Sequence, residues 1–386
     1  MTAPLEGVLV ADFSRVLAGP YATMFLADLG ATVVKIERAG VGDDTRAWGP
    51  PWTDHASSYF ESVNRSKLSI ALDLTKPADL SVARSLAARA DIIIENFRTG
   101  TMAKFGLDHA SVAAMNPRAV YCSITGMGSA GGADLPGYDF VVQALGGLMS
   151  ITGTAEGDPT KVGVALVDVL TGKDATIGIL AALRAREIDG VGQHIEVNLL
   201  SSLLGSLVNQ ASGYLTTGRS PRRMGNQHPS IAPYETLHCA DGVLAVACGT
   251  DAQFGRLASL LGAAELASDP RFVSNAARVT HREDLVAALE ERLADASAAQ
   301  WEKRLLAADI AAARVGDLAS AFERAAELGL DPTFTVGAGF APQVRHPITY
   351  SAHTPRRDLP PPYLGEHDAV VREWYARPPA IPTQQR

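Results

Sequence analysis

A chain of 386 residues with 47% hydrophobic side chains can bury a sizeable core and is longer than most single domains, so two domains are expected. Its 34 basic and 42 acidic residues give a formal charge of −8, and no basic run is long enough to follow a phosphate backbone, which argues against nucleic acid as a partner. Cys122, Cys239 and Cys248 are odd in number and widely spaced, which suits reduced packing thiols better than a disulfide framework or a zinc site. Met1 to Glu6 carries no signal-peptide pattern, and the apolar stretches around 175–183 and 197–208 are shorter than the roughly 20 residues of a membrane span. A soluble, cytoplasmic protein is expected, with a frayed proline-rich tail from Pro378 to Arg386.

In chain order, Val8–Phe13 has the short apolar run of a buried strand, Tyr21–Leu29 is helical with Pro20 in its first turn, and Thr32–Ile36 is a second strand. Leu80–Ala90 predicts a helix, Ile92–Glu95 a third strand and Ala119–Ile124 a fourth, so an α/β, doubly wound (Rossmann-like) large domain is expected over residues 1–215. Leu166–Glu187 and Ile195–Tyr214 both predict helices. A smaller α/β domain is expected over 225–325, with a strand pair near Glu235–Ala247 turning at Ala240-Asp241-Gly242 and amphipathic helices at 281–296, 298–308 and 317–328. Residues 330–386 are expected to return to the large domain.

The first strand–helix–strand unit has the outline of a dinucleotide fold, but Ser14 to Pro20 holds a single glycine where that fingerprint needs three. The literal Gly126-x-Gly128-x-x-Gly131 does come after a strand, yet Gly132, Pro136 and Gly137 intervene before any helix can begin. A nicotinamide site is therefore not expected. Gly137-Tyr138-Asp139 closes that loop and holds a carboxylate just past a glycine-rich turn. On local sequence alone such an Asp is a helix cap or turn residue.

Several segments in order alter that balance. The opening from Leu5 to Arg38, the run Gly40 to Trp52, Asn64-Arg65-Ser66-Lys67, Glu95-Asn96-Phe97, Gly137-Tyr138-Asp139 and Gly225-Asn226-Gln227-His228-Pro229-Ser230 closely resemble the class III CoA-transferases, the CaiB/BaiF family, from about Leu5 to about His367. The resemblance implies an interlocked homodimer, and CoA or acyl-CoA as a substrate with no tightly bound cofactor and no metal. It implies CoA contacts from Val16, Leu17 and Ala18, from Arg38, from Leu72, Asp73, Leu74 and Thr75, from Asn96, Phe97, Arg98 and Lys104, and from the loop Thr125, Gly126, Met127 and Gly128.

In that resemblance Asp139 matches the nucleophile, which attacks an acyl-CoA carbonyl and passes through a mixed anhydride and an enzyme thioester. A carboxylate with an ordinary pKa near 3.9 is anionic at neutral pH and needs no partner base. Gly126, Gly128 and Gly225 are candidate amide donors to the oxyanion, and the loop Gly225, Asn226, Gln227 and His228 matches the segment that the family places over its site. Arg46 and His228 are candidates for gripping an acceptor's second carboxylate, and Trp48, Tyr59 and Tyr138 for the walls.

Two other readings compete. The related α-methylacyl-CoA racemases carry a His immediately before this Asp. This chain has Tyr138, and a phenol with a pKa near 10 is a poor base at neutral pH. A non-catalytic CoA-binding protein has no use for Asp139, which is present. Among transferases the chain looks most like the branch that moves CoA from succinyl-CoA to dicarboxylates such as glutarate.

Overall fold

The computed structural model describes residues 3–355 and 359–376, so the tail from Pro378 lies outside the described residues. Contacts divide the chain into two compact units, one of 1–148, 161–219 and the chain from 331 onward, the other of 149–160 and 220–330. The short excursion 149–160 thus packs with the smaller unit, although it sits inside the sequence expected for the large domain.

The larger unit begins with β1 (Leu9–Asp12), α1 (Ala18–Asp28) and β2 (Thr32–Arg38). Gly30, at φ +106°, makes the left-handed exit from α1 that a side chain rarely adopts. A one-turn helix α2 (Ser58–Glu61) precedes β3 (Lys67–Leu72), and α3 (Pro77–Arg89) starts with proline at N1, where its missing N–H costs nothing. Then come β4 (Ile92–Glu95), α4 (His109–Met115), β5 (Val120–Thr125) and α5 (Asp139–Leu145), and α6 (Leu148–Ile151) leads into the part that packs with the smaller unit. The 24-residue α7 (Leu166–Asp189) leads to β6 (His194–Asn198), α8 (Leu199–Ser206) and α9 (Val208–Thr217).

All six strands are parallel, in the order β3-β2-β1-β4-β5-β6. Side chains alternate between the two faces of the sheet, and both faces are covered. Val10, Ile92, Ile94, Val120, Cys122 and Ile124 pack with α1 and α7, whereas Leu9, Ala11, Ile93, Tyr121 and Ile70 pack with α3. That is the doubly wound arrangement expected.

Two differences from the expected elements have local causes. The stretch predicted as one helix from Ile195 to Tyr214 opens as β6, because Ile195 and Val197 alternate with His194, Glu196 and Asn198 and pair with β5. Asn198 then ends the strand and caps α8, its side chain accepting from Ser201 N at 2.8 Å. Strand β3 was not expected, since Lys67 and Ser69 break its apolar run; both are buried and hydrogen-bonded.

The smaller unit contains a three-stranded antiparallel sheet, β7 (Tyr234–Cys239), β8 (Gly242–Ala247) and β9 (Ala311–Arg314), with α10 (Asp251–Leu260), α11 (Asn275–Thr280), α12 (Arg282–Leu293), α13 (Ala298–Ala307) and α14 (Leu318–Glu327). The chain then re-enters the larger unit through the two-residue strands β10 (Thr333–Phe334) and β11 (Gln343–Val344), and α15 (Asp368–Ala376) buries Val371 beside α3. No described helix is long and apolar enough to cross a membrane.

Candidate active site

The strand order reverses between β1 and β4, and in an open parallel sheet the crevice beyond the carboxyl ends at that point is where ligands bind. A pocket of about 370 Å³ lies there. Arg15, Val16, Leu17 and Ala18 line it from the loop after β1, Asn96, Phe97, Arg98 and Thr99 from the loop after β4, and Thr125, Gly126 and Gly128 from the loop after β5. Gly137, Tyr138 and Asp168 also line it, with Leu135, Pro136 and Leu199 among the rest.

Its loops are built by specific contacts. Asn96 clamps the first loop, its side chain accepting from Arg15 N at 2.9 Å and donating to Arg15 O at 2.7 Å. Val16 stands at φ +69°, an unfavourable conformation for a β-branched residue. Its amide is held by Asp43, whose carboxylate accepts from Val16 N and ion-pairs with Lys35 Nζ at 2.8 Å. Lys35 also donates to Ser14 O. The Lys35 charge and hydrogen bond, with the Thr45 donors, hold the buried Asp43 carboxyl down to about 2 despite its desolvation. At the third loop, a Cβ on Gly126 would sit 2.5 Å from the Cα of Gly137, so only two glycines let these backbones touch.

The carboxylates are arranged differently from the sequence expectation. Asp139 is 8% exposed and its oxygens are occupied: Oδ1 accepts from Val167 N at 2.7 Å and Asp168 N at 3.3 Å, and Oδ2 accepts from Gln143 Nε2 at 2.6 Å. Ala165, at the N-cap of α7, has no side chain to satisfy those amides, and Asp139 does so from α5. The carboxylate on the pocket wall is Asp168, in the first turn of α7. Burial, with the nearby Asp139 charge second, pushes its carboxyl up to about 7. Sequence reasoning missed it because an acid in the first turn of a helix reads as ordinary dipole matching.

Of the remaining expected residues, Tyr59 is partly buried near both carboxylates; desolvation, then the charges of Asp168 and Asp139, push its hydroxyl up to about 12. Trp48 packs edge-on against it at 5.7 Å. Arg46 is engaged elsewhere, donating to both oxygens of buried Glu37 at 2.8 and 2.7 Å and to Pro362 O, with its guanidinium over the Phe60 ring. That fork–fork pair occupies the guanidinium that was expected to grip a substrate carboxylate.

Arg38 is exposed and shares Asp44 with Arg15, Lys104 is exposed, and Met127 packs toward the core. Leu72 is buried in the core, Leu74 packs against it, and Asp73 caps its own turn by accepting from Thr75. None of these lines the pocket. Gly225, Asn226, Gln227 and His228 belong to the smaller unit, where His228 O accepts from Arg282 and Asn226 donates to Thr236. Among the described residues no cluster of His, Cys, Asp and Glu is arranged to hold a metal.

The chain belongs to CoA-transferase family III, the CaiB/BaiF family, whose pattern it fits over residues 5–368. It is 42% identical to the succinate–glutarate CoA-transferase of Agrobacterium fabrum, covering 95% of this chain and 94% of that one. It is 38% identical to the acetyl-CoA:oxalate CoA-transferase of Acetobacter aceti over 98% of this chain and 97% of that one. A crystal structure of a CaiB/BaiF family protein from Brucella suis, 42% identical, superposes with a TM-score of 0.87 over 97% of this chain and 100% of that one.

Proposed function

We propose that this chain transfers CoA from a donor such as succinyl-CoA to a small dicarboxylic acid, with Asp168 as the nucleophile and Asp139 as the group that places it. The observation carrying this reading is the pair of carboxylates at the pocket, one on the wall and the other fully hydrogen-bonded behind it. It moves the covalent role from Asp139, where sequence resemblance put it, to Asp168.

In this reading the Asp168 carboxylate attacks the thioester carbonyl, CoA thiolate leaves, and a mixed anhydride forms. The thiolate then attacks the aspartyl carbonyl and releases the donor acid, leaving CoA as a thioester on Asp168. The acceptor carboxylate attacks that carbonyl, expelling thiolate and forming a second anhydride. Thiolate attack on the acceptor's acyl carbon releases the new acyl-CoA and regenerates Asp168. Every bond broken is replaced by one of similar energy, so the cycle calls for no metal or tightly bound cofactor. The amides of Gly126 and Gly128 are suited to the oxyanion, and the charged arm of CoA runs past Val16, Leu17 and Ala18 toward Asn96, Arg98 and the exposed cations Arg38 and Lys104.

The names of the similar transferases favour succinyl-CoA and glutarate as first substrates to try. A homodimer, by family resemblance, is the expected assembly, giving twice the chain's mass in light scattering.

Brief exposure to succinyl-CoA, acid quench, hydroxylamine treatment and peptide mass spectrometry test the mechanism. A hydroxamate on Asp168 supports it; one on Asp139 returns the nucleophile to that residue. Turnover of glutarate against butyrate tests the acceptor, and a faster monoacid defeats the dicarboxylate assignment alone.

A further inference from the structure

Gln143 sits on α5 one turn after Asp139, fully buried and away from the pocket lining. A buried amide spends its hydrogen bonds on whatever it holds in place. Its Nε2 donates to Asp139 Oδ2 at 2.6 Å, and its Oε1 accepts from Val162 N at 2.9 Å. Asp139 in turn takes the Val167 and Asp168 amides on its other oxygen. A continuous run of hydrogen bonds therefore joins the segment before α7, the α5 side chains and the first turn of α7 that carries Asp168.

We infer that Gln143 is a positioning residue for CoA transfer, setting the orientation of Asp139 and through it the first turn of α7. This rests on Asp168 being the nucleophile. Because Gln143 does not line the pocket, its effect should appear in kcat and leave acyl-CoA binding unchanged. The geometry also fixes which end of the amide does what: with Oε1 held by a backbone donor, only the Nε2 end can meet Asp139, so a carboxyl group in place of this amide must carry a proton to make the same contact. The titratable groups near this pair are Asp168 on α7 and Tyr59 on α2.

Two variants test this in the intact enzyme. Gln143→Leu removes these bonds and the longer one from Nε2 to Val164 O, and should lower kcat about 100-fold, the size of effect that a displacement of roughly 1 Å produces, with KM for succinyl-CoA within about threefold. Gln143→Glu keeps the shape and can retain one proton between two carboxyls. Its kcat/KM should rise with pH as in the wild type and then fall as that shared proton leaves, giving a bell where the wild type has a single ascending limb. A simply structural residue would lower Tm without adding that descending limb.

A kcat within about threefold of wild type for Gln143→Leu, or a single ascending limb for Gln143→Glu, overturns the inference. If Gln143→Leu does not fold, the Gln143→Glu profile decides. Mapping the trapped hydroxamate in wild type separates the two ideas: a label on Asp139 removes the assignment of the nucleophile, whereas a label on Asp168 with indifferent Gln143 variants removes this inference alone.

Discussion

The amide of Asp168 donates to the carboxylate of Asp139 across 29 residues of sequence, so the residue on the pocket wall is held by the one behind it. This relationship separates two acids that sequence alone ranks the other way. Asp168→Asn should abolish transfer and hydroxamate formation while CoA still binds, because an amide cannot form the anhydride. Asp139→Asn should keep the label on Asp168 but lower kcat by about one to two decades, since its amide nitrogen then faces the Gln143 donor and the turn shifts. Equal and complete loss of labelling in both variants would count against this division of roles.

The pH behaviour has a definite sign. Asp168 is held at about 7, well above an ordinary carboxyl, so the folded protein keeps a proton that the unfolded chain releases near 3.8. Kinetically, kcat/KM should climb through about pH 7 as the nucleophile ionises, and Asp139→Asn should move that midpoint down by removing a neighbouring charge. Thermodynamically, the contribution of Asp168 to stability is present below pH 3.8 and is lost as pH rises toward 7. The Tm advantage of Asp168→Asn over wild type should therefore be larger at about pH 8 than at about pH 5, and differential scanning calorimetry at the two pH values measures it.

Asp43 is lowered to about 2, so its contribution is present above pH 3.8 and is lost as pH falls through 2. At neutral pH that shift corresponds to about 2 kcal/mol. Asp43→Asn leaves Lys35 buried against a neutral partner and loosens the Val16 turn. Steady-state kinetics should show KM for acyl-CoA rising more than kcat falls, together with a lower Tm. A variant whose KM is unchanged would show that the turn holds itself.

Arg46 supplies a contrast. Removing it takes away the guanidinium paired with Glu37, whose side chain is 1% exposed and keeps only the Ser69 hydroxyl and Asp43 amide as donors, and loss of one partner from a buried pair costs about 3–5 kcal/mol. Arg46→Ala should accordingly lower Tm and depress every acceptor in the same proportion. A selective loss of glutarate over butyrate would instead restore the substrate-binding role that the sequence suggested.

Arg98 lies exposed on the pocket wall and has, among the described residues, no ion pair. A charge-assisted bond to a phosphate is worth about 1.5–3 kcal/mol, so Arg98→Ala should raise KM for succinyl-CoA by about one to two decades. Raising ionic strength should weaken wild-type binding more than that of the variant.

The sequence by itself determined four of the six sheet strands, β1, β2, β4 and β5. Runs such as Ile92-Ile93-Ile94 are apolar on both faces, which only a strand covered on both sides tolerates, and Pro20 marks the first turn of α1 through local chemistry. The pocket loops were legible for the same reason, because a turn after a parallel strand must lie at its carboxyl end. Which carboxylate faces the pocket was not legible, since it depends on where the first turn of α7 lands relative to α5, and no local pattern encodes that packing. Nor did composition reveal that Arg46 is consumed by Glu37, or that Lys67 and Ser69 belong inside a strand. A charged residue looks the same in sequence whether it meets solvent, substrate or a buried partner; only the tertiary structure supplies the partner.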